Sequence, residues 1–401
     1  MFMKSLLLLL ALLPLPLLAE DVTITVTNLE KMQRQELIEV DVNTVRQRLG
    51  IGNDNPFVVK NASRQQVDYQ ITHDDKLLID APVKPCGTTV YTIQKGMPEP
   101  MHQWVKGKMY PIRKDDIGWE NDRGAYRLYG PALQKTGERS FGIDVWTKNT
   151  RDLDMSDRYY KDYEGNVTGW ANEKNGKKDD DINLHTSFHL DHGNGLDCYQ
   201  VGPTLGCGTP ALMDKGNLVL PYCYRTYRIL DNGPLRFTVE LTYNPVKIGK
   251  DTAVVEHRVI SLDKGSHFNK MTVWYEGLSK PRDLAAGIVV HQGPAASYSI
   301  GQDYVEHADP TDQPDNYGYQ LYVACLFPNG AETKFLEMKK PEANALGHAI
   351  GIKKGLKAGE HYTYYFGSAW SCYDVRTEEE WELRIHQFLK GLYAPLEVVL
   401  K

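Results

Sequence analysis

Short runs rich in Val, Ile, Tyr and Thr recur along the chain, separated by clusters of Gly, Pro, Asn and Asp. That is the pattern of strands closed by turns. The clear cases are Val22–Val26, Glu36–Val42, Gln66–Thr72, Thr88–Gln94, Phe141–Thr147, Leu235–Tyr243, Val254–Leu262, Lys270–Tyr275, Tyr319–Phe327 and His361–Phe366. In Phe237, Val239, Leu241 and Tyr243 every second residue is large, so all four share one face of a strand. A sheet with one buried face reads this way. Helical segments at βα spacing are missing, which disfavours a parallel α/β fold. The expectation is an all-β, mainly antiparallel architecture.

Two helices break the pattern. Thr377 followed three residues later by Glu380 is a capping box, and Trp381, Ile385, Phe388 and Leu392 then recur at helical spacing before Gly391 and Pro395 end the run. This C-terminal helix is expected to lie as a lid on a sheet. A weaker helical stretch covers Thr44–Leu49. KGMPEP near Gly96–Pro100 suggests a boundary between a small N-terminal β-domain (20–95) and a larger β-domain (96–401). Asp152–Asp181, with its charged tract EKNGKKDDD, reads as a long insertion whose tract is a solvated loop.

The N-terminus has the form of a secretory signal peptide, with Lys4, an apolar run from Leu6 to Leu18 broken by Pro14 and Pro16, and the small Ala19. Cutting there removes residues 1–19 and leaves about 380, without a cysteine beside the cut to take a lipid. A periplasmic or secreted protein with no membrane span is expected. Formal net charge is −6, and one unit more negative without Lys4, which argues against nucleic acid as partner. The chain holds 24 Tyr and 7 Trp. Most will be core, but the number is compatible with stacking on sugars. Cys86, Cys198, Cys207, Cys223, Cys325 and Cys372 show no zinc spacing. Cys198 and Cys207 could pair if oxidised, and buried free thiols are equally consistent.

Chemistry-bearing residues concentrate in a few segments. His185–Gly208 packs His185, His189, Asp191, His192 and Asp197 among glycines, and three of the chain's twelve histidines fall within it. Imidazole beside carboxylate moves protons or holds metals. On an extended chain His189 and Asp191 face one side and His192 the other, so only a bend at Gly193 or Gly195 lets all three line one surface. Asp197 could orient a histidine. HxDH on a strand lacks the metal specificity of a helical HExxH. Trp119–Pro131 offers Trp119 for stacking, Glu120, Asn121 and Asp122 for hydroxyls, Arg123 to clamp a carboxylate, then Tyr126 and Arg127. A salt-bridged hairpin explains the same residues. His291 ends the apolar run GIVVH at a Gly–Pro turn, Glu306 and His307 follow in DYVEHAD, and Trp370 in GSAWS could form a stacking wall. No cofactor is implied. Asp152, Asp154 and Asp157, or Asp179, Asp180 and Asp181, could hold calcium through oxygen ligands, although their spacing is not that of an EF-hand. GxSxG, P-loop and GxGxxG–helix motifs do not occur.

WENDRGAYRLYGPAL, SFGIDVWTK, FHLDHGNGLDCYQVGPTLGCG, GIVVH and GSAWS together, over roughly Glu30 to Pro395, resemble the exported family called domain of unknown function 4861. GKKDDDINL reads as an individual insertion. The resemblance implies a galactose-mutarotase-like β-supersandwich and a setting in the breakdown of pectin-like and other uronic-acid polysaccharides. It transfers no catalytic residue, and fold alone does not select a chemistry. The leading expectation is a lyase or hydrolase acting on a uronate-containing oligosaccharide. For β-elimination, Arg123 and Asn121 would neutralise the carboxylate, His192 or His291 would be base, and Tyr126 acid. Hydrolysis would draw on Glu120, Asp122 and Asp197. Trp119, His189 and Trp370 would bind substrate. A non-catalytic glycan-binding protein, a sugar epimerase or mutarotase, and a structural β-protein of a surface assembly remain alternatives.

Overall fold

A computed structural model describes residues 21–176, 180–310, 319–342 and 344–401. The leader reading of residues 1–19 lies outside them. The described chain is mostly antiparallel β-sheet. Val22–Thr27 and Thr88–Lys95 pair as neighbours, flanked by Phe57–Asn61 and by the C-terminal strand Glu397–Leu400. A three-stranded sheet of Arg34–Asp41, Lys76–Val83 and Tyr69–Ile71 packs with them, and the helix Val42–Leu49 completes a separate hydrophobic core. Asp41 caps that helix through its carboxylate and Gly50 ends it in the left-handed region. The chain's last strand therefore belongs to the same sheet as its first.

Two large sheets build most of the remaining described residues. One has five strands in the order Asn217–Val219, Cys207–Asp214, Arg282–His291, Ala345–Leu356, Glu332–Glu337. The other has nine, with Arg236–Tyr243, Asp251–Asp263, Phe268–Glu276, Tyr362–Trp370, Leu321–Leu326 and Tyr304–Asp309 as its centre. Their inner faces share one core, to which Phe237, Val239, Leu241 and Tyr243 all contribute. The alternation seen in the sequence is thus the buried face of one strand. A smaller four-stranded sheet of Lys106–Tyr110, Asp116–Glu120, Ala125–Leu128 and Asp144–Trp146 closes over the same core through Trp119, Tyr126 and Val145.

The C-terminal helix runs Glu378–Tyr393, and the Thr377 side chain accepts from the Glu380 amide as its sequence requires. Trp381, Ile385 and Leu389 pack on Phe268, Tyr322 and Ala324 of the nine-stranded sheet. The charged tract expected as a solvated loop is exposed over 173–176, and 177–179 lie outside the described residues. Met155–Lys174 is a twenty-residue helix followed by a short one, Asp180–Thr186. Its buried face consists of Met155, Arg158, Tyr159 and Gly165, too polar to register as an apolar period. Gly165 is there because a Cβ would lie 2.0 Å from the Thr186 hydroxyl. Among the described residues no helix is long and apolar enough to cross a membrane.

Candidate active site

The glycine-bounded segment after His185 is a compact turn, not the strand that its alternation would need. The Asp191 carboxylate accepts from the amides of Gly193 and Gly195 at 2.8 and 2.9 Å. This Asx-type curl lets Gly195, at φ +103°, approach Thr147 so closely that a Cβ would sit 2.1 Å from its carbonyl oxygen. Thr147 and Leu196 then exchange hydrogen bonds, and Asp197 bridges to Trp146. The glycines thereby deliver Asp197 into the interior. His189 stays at the surface with Nδ1 3.1 Å from the Asp197 carbonyl and 3.6 Å from its carboxylate. His192 is exposed and bonds the Ser187 carbonyl, and His185 is exposed on the short helix.

Asp197 meets Arg127, a residue of the strand Ala125–Leu128. Nη2 of Arg127 pairs with Asp197 at 2.8 Å and also with Asp144, and all three residues are buried. The guanidinium lies over the rings of Tyr129, Trp146 and Phe188, at 4.8 to 5.7 Å from their centroids. Asp116 is buried beside it. Burial pushes the Asp116 carboxyl up to about 6, with Arg127 and Arg113 opposing and Asp197 adding. Asp144 is raised too, by burial and by Asp197, against the pull of Arg127. Asp116 and Asp144 therefore hold their protons to higher pH than an ordinary carboxyl does. Many polar atoms here remain unpartnered: Nε and Nη1 of Arg127, Oδ2 of Asp116, Nε1 of Trp146, and the hydroxyls of Tyr159 and Tyr199. Buried polar atoms are normally satisfied, so these have bonding capacity left over.

Tyr199 joins this group to a second one. Its ring stands edge-on to His291 with centroids 5.9 Å apart, and burial raises its hydroxyl, with Asp309 and Asp144 among the contributing charges. His291 ends the strand Arg282–His291, and its Nδ1 is 2.7 Å from the Asp309 carboxylate. That places the Nδ1 proton on the Asp309 side and leaves Nε2 as the basic nitrogen, which has no partner among the described residues. Asp309 and His307 are two apart on Tyr304–Asp309 and so share a face. His307 donates Nδ1–H to the Ser297 carbonyl at 2.6 Å and accepts the His291 amide at Nε2. Burial acts to raise the Asp309 carboxyl, but the charge and hydrogen bond of His291, with those of His307, hold it below the ordinary range. His348, opposite Val289 on the neighbouring strand, is pushed down to about 4 by burial and by His291, and accepts from the Leu205 amide.

The WENDR turn has different neighbours. Trp119 is fully buried and donates to Asn269 at 2.7 Å. Glu120 is buried against Lys148 and accepts the amides of Asp154 and Met155, so it caps the insertion helix. Asn121 donates to the carbonyls of Asp263 and Ser266 and accepts from Arg123 and Gly124. Asp122 accepts the Gly265 amide. Arg123 pairs with Asp374 at 2.6 Å, and Asp374 also contacts His267. Tyr126 donates to the His267 carbonyl and accepts from the Ser368 amide. Trp370 packs on Leu196 and Cys198, with Tyr319 at its edge. These side chains serve the fold, so the clamp expected from Arg123 and Asn121 and the acid expected from Tyr126 are not assembled beside His291. Of the residues picked from sequence, Arg127, Asp197, His291 and His307 fall within the two polar groups and His189 at their margin.

The groups read past in the sequence are Asp116, Asp144, Tyr199, Asp309 and His348. A carboxylate inside the apolar strands DIGWE and DVW was the available signal for the first two. Ligand atoms of His291, His307 and Asp309 lie within 4.8 Å of one another, a set that could hold a metal. In the present geometry those atoms satisfy each other, and a metal would have to displace the His291–Asp309 bond. For calcium, Asp154 stands at the N-terminus of the insertion helix, bonded by Asn194, and Asp157 lies in its first turn. Asp179 and the side chains of Asp180 and Asp181 lie outside the described residues. Cys207 is a free thiol, so it does not pair with Cys198.

The chain is similar to Uncharacterized protein P7 of Formosa agariphila, with 24% identity over 96% of this chain and 94% of that one. Among solved structures it is similar to an alpha-mannosidase from Enterococcus faecalis, with a TM-score of 0.49 and 8% identity over 95% of this chain and 46% of that one. It is also similar to the galactosidase domain of an alpha-galactosidase-sucrose kinase, with a TM-score of 0.34 and 9% identity over 67% of this chain and 42% of that one. The chain thus spans about half the length of the solved structures it matches. The model of the family described as "Domain of unknown function (DUF4861)" matches residues 26–398, and the chain belongs to that family.

Proposed function

We propose that this is an exported carbohydrate-active enzyme that cleaves uronate-containing oligosaccharides by β-elimination. One observation carries the reading: the ring of His291, paired with Asp309, stands edge-on to Tyr199, whose hydroxyl is buried, unpartnered and within reach of the charge of Asp144, the partner of Arg127. Elimination needs three services. The sugar carboxylate must be neutralised, and the unpartnered N–H groups of Arg127 supply the donors and the positive charge for it. A base must take the proton on the carbon beside the carboxylate, and Nε2 of His291, oriented by Asp309, does so. The electron pair of that C–H bond becomes the new C=C bond as the C–O bond to the leaving sugar breaks. The Tyr199 hydroxyl gives its proton to the departing oxygen. His291 then loses its proton to solvent, and the Tyr199 phenolate takes one up from solvent, which restores both groups.

Hydrolysis is the second reading, favoured by Asp116: a carboxyl pushed up to about 6 with Oδ2 unpartnered is poised as a general acid. A panel of uronate oligosaccharides separates the two. Elimination yields one new reducing end and one ultraviolet-absorbing unsaturated uronate per cleavage, whereas hydrolysis yields reducing ends alone. Absence of both across the panel overturns the enzyme reading in favour of a glycan-binding protein.

A further inference from the structure

The insertion helix Met155–Lys174 carries a second apolar stripe that the fold does not cover. Its inner face, Met155 and Tyr159, packs on Tyr110, Trp146 and Phe188 beside Arg127. Next to that face, Tyr160, Tyr163, Val167 and Trp170 are exposed, Trp170 to 66%. Their spacing of three, four and three residues aligns them in one row. Four exposed large apolar residues in line are more than scattered surface chance. At 1.5 Å per residue the row from Tyr160 to Trp170 is about 15 Å long, the length of a short oligosaccharide. Three of the four are aromatic, which suits the C–H faces of sugar rings better than an aliphatic helix partner. At one end Lys108 sits with Nζ 4.9 Å from the Tyr160 ring centroid and 4.8 Å from that of Tyr110. An ammonium there matches a carboxylate on a sugar stacked on Tyr160.

We propose that Tyr160, Tyr163 and Trp170, with Lys108, form a docking track for the uncleaved part of an anionic polysaccharide, running outward from the site along the same helix. The inference rests on the uronate reading above, and its test separates the two. Trp170→Ala combined with Tyr163→Ala removes the track at exposed positions that the fold does not use. Native gels cast with a uronate polysaccharide, which need no turnover, are the first readout. The wild type is expected to be retarded and the double variant to run freely. Lys108→Ala is expected to lose retardation by the uronate polymer and keep any shown toward a neutral one. If cleavage occurs, the preference for long over short chains, as a ratio of kcat/KM, is expected to fall about ten-fold in the double variant, equivalent to ~1.4 kcal/mol. Equal retardation of wild type and double variant overturns the track, whether or not the protein turns anything over. A dimer that sedimentation detects in the wild type and not in the double variant overturns it in favour of a second copy of the chain on this face.

Discussion

The WENDR turn and the ground between Arg127 and His291 are equally polar and equally buried, yet they differ in one respect. At the turn the polar side-chain atoms are largely matched: Asn121 makes four hydrogen bonds, and Tyr126 both donates and accepts. Around Arg127, Trp146, Tyr159 and Tyr199, buried donors and acceptors are left over. A matched network fixes a structure, and removing a member strands its partners. An unmatched one costs stability unless something binds there. Residue type alone does not distinguish the two regions; hydrogen-bond saturation does.

Substitutions that break this contrast are expected to act in opposite currencies, activity on one side and stability on the other. The largest effect is on His291→Ala, which is expected to lower turnover by roughly 10²–10⁴-fold, the worth of a general base, in a steady-state assay on whichever uronate oligosaccharide is cleaved. Next come the turn residues. Asn121→Ala is expected to destabilise by about 3 kcal/mol, since it strands two carbonyls and two amides, and Tyr126→Phe by about 2 kcal/mol, both read by urea denaturation. Smaller again is a pH effect at the C-terminal helix. Burial, with Glu382 and Glu378 adding, pushes Glu306 up to about 7. A carboxyl raised in the folded state contributes stability that is full below its unfolded value near 4.5 and lost as pH rises through about 7. Glu306→Gln is therefore expected to raise Tm at pH 8 and not at pH 4, and equal shifts at both would contradict the assignment. The smallest is Arg123→Ala, whose partly exposed pair with Asp374 is worth about 1 kcal/mol, with turnover per folded molecule retained.

What could be read from the residues followed what periodicity can carry. Phe237–Tyr243 announces its buried face by alternation, and Thr377 with Glu380 announces a helix start, because both signals are local. The insertion helix hid because its inner face includes Arg158 and Gly165. His291 stood out as a polar end to an apolar strand. Its orienter Asp309 did not, because the two meet only when strands eighteen residues apart converge. Asp197 was visible, but the assignment of a shared face to His189 and Asp191 assumed an extended chain, and the Asp191 turn removes that premise. The WENDR residues were conspicuous because a tight turn docked on two other segments needs many polar atoms, the same composition that a binding site needs.

The central claim is that unpartnered buried groups mark the catalytic ground and matched ones the scaffold. Turnover of Tyr199→Phe, measured per folded molecule on uronate oligosaccharides, tests it most directly. The hydroxyl has no partner to lose, so stability is expected to hold within ~0.5 kcal/mol while turnover falls at least ~100-fold. Turnover within two-fold of wild type, or a stability loss like that of Tyr126→Phe, contradicts the account.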